Sequence, residues 1–181
     1  MNHADKSFHA IFLFSEFDGT LRSAPMDWNN WIPRQRATLC FVIDGTRVLL
    51  IRKLRGLGMG KINGPGGKLD PGETLAECAI RETQEEVGVT PINPEHVAEI
   101  SFHFTNGFQL QCSVFLAHAH EGIAHSTPEA DPFWCELDSI PYAEMWQDDA
   151  LWLPQVLAGN RLRGRFVFED ERMLSHELQP W

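Results

Sequence analysis

No two of the four cysteines, Cys40, Cys78, Cys112 and Cys135, form a C-x-x-C pair. That spacing excludes the short zinc and redox motifs and argues for reduced, buried thiols rather than a disulfide framework. Long apolar runs are also missing. The stretch Ala10–Phe14 near the start is too short for a signal peptide or a bilayer span. The expectation is a cytoplasmic protein with no membrane partner. Positive charge is in deficit, with 15 Lys and Arg against 25 Asp and Glu and a net charge of −10. That field repels a polyanion, so a nucleic-acid polymer is not the expected partner. A small anion can still bind where local Lys, Arg or a metal ion overcomes the field, so a phosphate substrate implies a metal cofactor. There are no repeats and no low-complexity tract. With 43% hydrophobic and 22% charged residues, the 181-residue chain lacks the signature of disorder and suits one domain with a single core.

Residues 1–35 read as an extension that packs on a main domain spanning 36–181. They hold one short apolar stretch and then a polar, Trp-containing passage, Asp27–Pro33. In the main domain, Thr38–Ile43 and Arg47–Arg52 read as strands about the Asp44-Gly45 turn signal. A glycine-rich loop follows from Gly56 to Gly72, then a helix from about Thr74 to Val87 stopped by Gly88. Glu99–Phe104 and Leu110–His118 flank an Asn106-Gly107 turn, and Phe133–Leu137 is a further strand. Asp148 or Asp149 can cap a second helix to about Leu157, and Arg165–Phe168 closes the pattern as a strand. Strands interleaved with two helices give an α+β class, a mixed β-sheet between helices.

The chemistry concentrates in Gly66–Val89, GGKLDPGETLAECAIRETQEEVGV. At about 100° per residue, Ala76, Ala79, Ile80, Thr83 and Val87 share one helix side. Glu82, Glu85 and Glu86 share another. Three neighbouring carboxylates repel one another unless solvent or a cation relieves them, and such hard oxygen ligands suit Mg²⁺ or Mn²⁺. Taken alone, the same residues read more readily as a solvated glutamate face. The preceding loop favours the metal reading, because Gly66-Gly67-Lys68 lets backbone approach a ligand and Lys68 offers charge to phosphate.

The segment resembles the Nudix box, G-x5-E-x7-R-E-U-x-E-E-x-G-U, where U is bulky and apolar. Gly67, Glu73, Arg81, Glu82, Glu85, Glu86 and Gly88 fill every fixed position, and Val89 fills the last U. Thr83 stands at the other U. Chance produces such a match in about one chain in a million or fewer. The resemblance implies the Nudix α/β/α sandwich. It implies metal ligation by Glu82, Glu85, Glu86 and the Gly66 carbonyl, with Arg81 orienting the carboxylates and Glu73 bracing the loop. Metals would bridge phosphate oxygens and activate a water for in-line attack. Glu85, Glu86 or Glu129 would act as general base, Glu129 falling where the family often has an extra acidic ligand. Its simpler reading is a solvated loop glutamate.

Beyond the box, roughly residues 36–176 are similar to the MutT-type oxidised purine nucleoside triphosphate hydrolases, notably the mammalian kind. The pieces that carry this are Arg47–Leu50, Asn63–Lys68, Ile140-Pro141 and Met145–Asp149, with Trp152 and Pro154 after them. By that resemblance Asn63 hydrogen-bonds the purine, Asp148 and Asp149 read the base edge, and Trp146 stacks on it. Phe102, Leu57 and Leu110 would line the pocket, with Thr38 and Lys53 near its rim. A guanine-like edge shows N–H donors that carboxylates accept, and two adjacent acids that share a proton can read either donor pattern. Without the resemblance, Asp148 or Asp149 is a helix cap, Trp146 is core, and one face of Phe102 and Phe104 is core. Leu57 replaces a pocket Phe of the mammalian relatives, Ile62 a Trp, and Gln147 a Pro.

The expected reaction is Mg²⁺-dependent release of pyrophosphate from an oxidised purine nucleoside triphosphate, such as 8-oxo-dGTP or 2-hydroxy-dATP, by a monomer or weak homodimer. The alternatives are a Nudix hydrolase for ADP-ribose, a dinucleotide or capped RNA, and a non-catalytic nucleotide sensor. Two other signals are weaker. Ile11–Leu21 resembles the D-x-D-G-T motif of haloacid dehalogenase-type phosphatases, but Glu16 replaces its first aspartate, and Asp18-Gly19 reads better as a turn. His118, His120 and His125 suggest zinc, yet no cysteine or acid completes a set, and solvated histidines fit as well.

Overall fold

A computed structural model describes residues 26–181. The Ile11–Leu21 motif lies outside the described residues. Strands β1 (Gln35–Asp44), β2 (Arg47–Lys53) and β3 (Ile62–Asn63) precede helix α1 (Leu75–Val87). Then come β4 (Val89–Pro91), β5 (Glu95–Phe104), β6 (Gln109–Ala117), β7 (His120–Gly122) and β8 (Ala130–Glu136). A 3₁₀ turn (Tyr142–Glu144), helix α2 (Asp149–Leu157), β9 (Leu162–Glu169) and β10 (Arg172–Pro180) complete the chain. The main sheet runs β10-β9-β5-β6-β1-β2-β3, with β8 paired to the other edge of β2. It is mixed: β1 with β6 and β5 with β9 are parallel, and the other neighbours are antiparallel.

Alternation along the central strands builds two cores, one on each face, where composition suggested one. Cys40, Val42, Leu49 and Ile51 pack with Ala79 and Val87 of α1. Phe41, Ile43, Val48 and Leu50 pack with Trp152, Leu153 and Val156 of α2. The α/β/α layering is therefore written in the phase of β1 and β2. Thr83, the unexpected residue in the α1 stripe, is fully buried and donates its hydroxyl to the Ala79 carbonyl at 2.7 Å, so no polar group is left unpaired.

Thr74 and Glu77 form a reciprocal capping box at the start of α1, and Gly88, at φ 75°, closes it in the left-handed region. β1 and β2 pair only near their turn, at Ile43–Val48 and Asp44–Arg47. Further back the glycine-rich loop takes β2's place. Thr38 N–H donates to the Gly67 carbonyl (2.8 Å), Cys40 N–H to that of Pro65 (2.9 Å), and Leu69 N–H to that of Arg36 (3.1 Å). That loop therefore lies against a central strand rather than out in solvent.

The structure adds elements that the pattern did not signal. The short β3 sits inside the glycine-rich loop, β4 and β7 form a small separate sheet, and β10 follows β9. β10 is mostly exposed and polar, so it carries no period-2 apolar signal. Met26–Arg34 reaches the sheet through Trp28, which packs 5.4 Å from Trp31 under the Arg165 guanidinium at 5.8 Å. Among the described residues, no helix is long and apolar enough to cross a membrane.

Candidate active site

The loop before α1 and the helix itself meet at contact distance. A Cβ on Gly66 would lie 2.0 Å from the Thr38 carbonyl oxygen, and one on Gly67 would lie 2.2 Å from the Glu82 carboxylate. At Gly66 only glycine permits the approach, because backbone blocks a side chain, whereas at Gly67 a side chain would displace the Glu82 carboxylate. Arg81 ties the unit together. Its Nε and Nη2 donate to the two oxygens of Glu73 (2.7 and 2.9 Å), and its Nη1 donates to Glu82 (2.9 Å) and Glu85 (3.1 Å). Nη2 also reaches the Lys68 carbonyl at 3.2 Å. The fork-to-fork pairing holds the Glu73 carboxyl down to about 2. The same hydrogen bonds, those to Glu73 foremost, raise the Arg81 guanidinium's affinity for its proton.

The three acids of the α1 face have different surroundings. Glu86 is buried, accepts the Gly66 N–H at 2.9 Å and pairs with Lys53 at 3.4 Å. Glu82 is half-buried and its affinity for a proton is raised by burial and then by the charges of Glu86 and Glu85, against the pull of Arg81. Glu85 has a 62% exposed side chain that lies on Arg81. Glu129 is held near α1 by Thr127, whose hydroxyl donates to the Glu86 carbonyl (2.9 Å) and accepts the Glu129 N–H (3.2 Å). Its carboxylate pairs with Arg55. Among the described residues, no three acid, His or Cys side chains converge into one coordination group. The cause is visible in the pairing: Arg81 holds Glu82 and Glu85, and Lys53 with the Gly66 amide holds Glu86. The donor set still fits a hard divalent cation, because three carboxylates share one helical face and Glu82 already feels the repulsion. The three histidines do not gather either. His120 packs 5.3 Å from Trp134, and the His125 ring lies over Gly88.

A cavity of about 920 Å³ runs from this face toward α2. Glu82, Glu86, Glu129, Lys53, Lys68 and Gly66 line its charged end. Asn63, Phe102, Leu57, Leu110 and Thr38 also line it, and Trp146, Asp148 and Asp149 line it beside the start of α2. Of the residues given a role from the Nudix box and the purine-hydrolase resemblance, Glu73, Arg81 and Glu85 stand outside its walls. Thr38 is 1% exposed, part of the floor rather than the rim. Asn63 accepts the Gly64 N–H through its side-chain oxygen at 2.8 Å, which leaves its NH₂ donors for a ligand.

The far end is aromatic and acidic. The Trp146 indole meets Phe168 (5.5 Å) and Phe104 (6.1 Å) edge-on, with the Lys61 ammonium 5.2 Å over its ring. Asp148 occupies the N-cap position of α2 without capping it. Instead its Oδ2 accepts the Trp152 indole N–H at 2.9 Å, while its buried Oδ1 has no partner. Asp149 accepts the Trp146 N–H at 3.0 Å. Burial pushes the Asp148 carboxyl up to about 6. It pushes Asp149 well above the usual range too, helped by the Asp148 charge and opposed by the Trp146 hydrogen bond and Lys61. Two such acids, side by side and dry, retain a proton where exposed ones would lose it.

Ile100, Asn106, Phe108, Cys112 and Arg55 also line the cavity and were not anticipated. For Phe108 a signal existed. The Asn106-Gly107 turn folds it back on Phe104, with ring centres 5.6 Å apart. Arg55 meets Glu129 only through the tertiary fold, and local sequence does not announce that pair.

The NUDIX domain family model matches residues 33–156. The chain is 39% identical over 143 residues to a Danio rerio protein named "Oxidized purine nucleoside triphosphate hydrolase", covering 78% of this chain and 92% of the relative. A Mus musculus protein of the same name is 39% identical over 144 residues, with the same coverage. Among solved structures, the mutator MutT protein of Bacillus halodurans superposes with a TM-score of 0.74 at 34% identity, covering 81% of this chain and 99% of the other. With a family match over most of its length and its acidic helix, arginine hub and cavity in one continuous site, this chain belongs to the NUDIX domain family.

Proposed function

We propose that this hydrolase cleaves oxidised purine nucleoside triphosphates to the monophosphate and pyrophosphate, using Mg²⁺ and with Mn²⁺ as a substitute, on free nucleotides of the cytoplasm. Residues 36–181 would carry the reaction. The observation that supports this most is the polarity of one cavity. Paired cations and carboxylates stand at the α1 end, and an aromatic wall with two dry carboxyls stands at the α2 end. A nucleotide is polarised the same way. The names borne by the 39%-identical relatives point to the same substrate class.

In this reading Glu82, Glu85, Glu86, Glu129 and the Gly66 carbonyl would hold the divalent ion. Once bound, that ion supplies Lewis-acid stabilisation of phosphate charge and makes water more acidic. Lys53 and Lys68 neutralise phosphate oxygens from the cavity wall. Arg81 fixes the carboxylate orientations, and Glu73 fixes Arg81 in turn. Glu86 and Glu129 line the cavity, so they are better placed than Glu85 to accept a proton from an attacking water. At the other end Asn63 donates to the purine, Trp146 stacks on it, and Asp148 with Asp149 offers both an acceptor and a protonated donor. Phe102, Leu57, Leu110 and Thr38 shape the pocket around the base.

The test compares kcat/KM for 8-oxo-dGTP, 2-hydroxy-dATP, dGTP and dATP by pyrophosphate release. The oxidised nucleotides are expected to be cleaved more efficiently. Equal values across the four would defeat the assignment.

A further inference from the structure

The indole at the base end is only partly buried and must be held in plane by its surroundings. Three contacts tie it to the β9–β10 hairpin: Phe168 of β9 meets the ring edge-on, and two more run to the hairpin turn and to β10. The residue after Trp146 is Gln147, whose side-chain oxygen accepts the backbone N–H of Met173 at 2.6 Å. Met173 lies at the start of β10, beside a register shift between Met173 and Ser175. From the other side, Lys61 rests 5.2 Å over the Trp146 ring and pairs at 3.1 Å with Glu171 at the hairpin turn. A side chain at Gly58 would strike the indole nitrogen at 2.8 Å, so the β2–β3 loop closes the ring's remaining freedom.

From this arrangement we infer that Gln147 is a positioning residue for purine binding, latching the β9–β10 hairpin to the Trp146 wall of the cavity. The inference rests on the proposed role of Trp146 as the stacking surface. Gln147 itself does not line the cavity and is exposed, so it acts through its neighbour. The contact requires an acceptor at the end of a side chain of this length, because the partner is a backbone N–H. A proline here would have no acceptor to offer, and an apolar isostere would leave the Trp146 segment tied to Asp149 alone, without its link to β10. Misplacing a stacking wall weakens ground-state and transition-state binding alike, which raises KM and leaves kcat.

The experiment measures kcat and KM for 8-oxo-dGTP with Gln147→Met, Gln147→Glu and Trp146→Ala. Gln147→Met keeps length without the acceptor and is expected to raise KM about 3–10-fold with kcat within about twofold. Gln147→Glu keeps the acceptor oxygen and is expected to return KM to near the parent value. Unchanged KM in Gln147→Met, or a Glu variant no better than Met, overturns the latch. Trp146→Ala separates the two levels. If it raises KM while Gln147→Met does not, the latch alone fails. If Trp146→Ala leaves KM untouched, the stacking role itself is wrong and the latch falls with it.

Discussion

The two ends of the cavity both collect carboxyl groups and treat them in opposite ways. At the α1 end the acids keep cations beside them: Arg81 serves Glu73, Glu82 and Glu85, and Lys53 serves Glu86. At the α2 end Asp148 and Asp149 are 1% and 3% exposed, side-chain and amide donors come from the Trp152 indole N–H and the Trp146 amide, and the more distant Lys61 charge relieves Asp149 alone. The first environment holds the Glu73 charge through Arg81, although burial still raises Glu82's affinity for a proton, and the second favours the proton at both aspartates. Residue type alone therefore does not set function here. Whether an acid becomes a candidate metal ligand or a candidate hydrogen-bond reader depends on how much cation and water surround it.

Removing charge from the α1 end should have the largest effect. Glu86→Gln is isosteric and keeps an acceptor for the Gly66 N–H. It is expected to lower kcat/KM by about 10²–10³-fold or more with the fold kept and a modest fall in melting temperature, since Lys53 loses its charged partner. Glu85→Gln should also lose most activity with an intact fold, although its side chain starts on Arg81 outside the cavity. Retained turnover with Mg²⁺ in both variants would break the contrast, because the α1 acids would then be no more than a solvated face. Next comes Arg81→Lys. An ammonium cannot reproduce a fork that bonds both Glu73 oxygens and two further carboxylates. We expect about 10²-fold loss of activity together with lower stability near neutral pH, read by activity and thermal melts. The loss should narrow in acid. Glu73's carboxyl is held below its ordinary value, so its stabilisation is present above about pH 4.5 and fades as pH falls toward about 2.

The α1 end was the more legible of the two in the sequence. Its residues are close in the chain, and helical spacing places Glu82, Glu85 and Glu86 on one face by geometry alone. Even so, the spacing did not show that Glu85 turns to Arg81 and away from the cavity. The layering was legible in the alternating apolar residues of β1 and β2, whereas β10 was not, because it is mostly exposed, nor was the β4–β7 pair, because each strand has three residues and they meet only by long-range pairing. At the α2 end the residues come from distant segments. Asp148 in front of a helix satisfies the cap pattern, and only packing reveals that Trp152 takes its carboxylate instead.

That buried pair gives a pH test of the contrast. Asp148's carboxyl is raised from an ordinary 3.8 to about 6 by burial, so the native state holds a proton that the unfolded chain releases. The associated stabilisation is fully present below about pH 4 and is lost as pH rises through about 6. Across that window the parent protein should lose up to about 3 kcal/mol of stability relative to Asp148→Asn, which has no proton to lose. Chemical denaturation of both proteins at pH 4, 5, 6 and 7 measures the difference. Parallel stability curves would mean that the pair is ionised throughout and that the two ends are alike.

The smallest effect should come from Thr83→Val, and its smallness sharpens the comparison. Thr83 sits one residue after Glu82 on the helix, yet it faces the core and is fully buried. Its hydroxyl donates to the Ala79 carbonyl at 2.7 Å, an oxygen that the helix ladder also uses, and its other neighbour is the weakly bonding Cys40 thiol. Valine has nearly the same shape, and removing this donor leaves no orphaned acceptor. The gain in apolar burial and the lost hydrogen bond should then nearly cancel, within about 1 kcal/mol in either direction. Activity should stay at the parent level, because no charge on the acidic face has moved. If kcat instead falls by an order of magnitude while the melting temperature holds, the working geometry of the α1 end depends on the packing beneath the glutamates. The division between a face set by charge and a pocket set by burial would then fail at the first of its two ends.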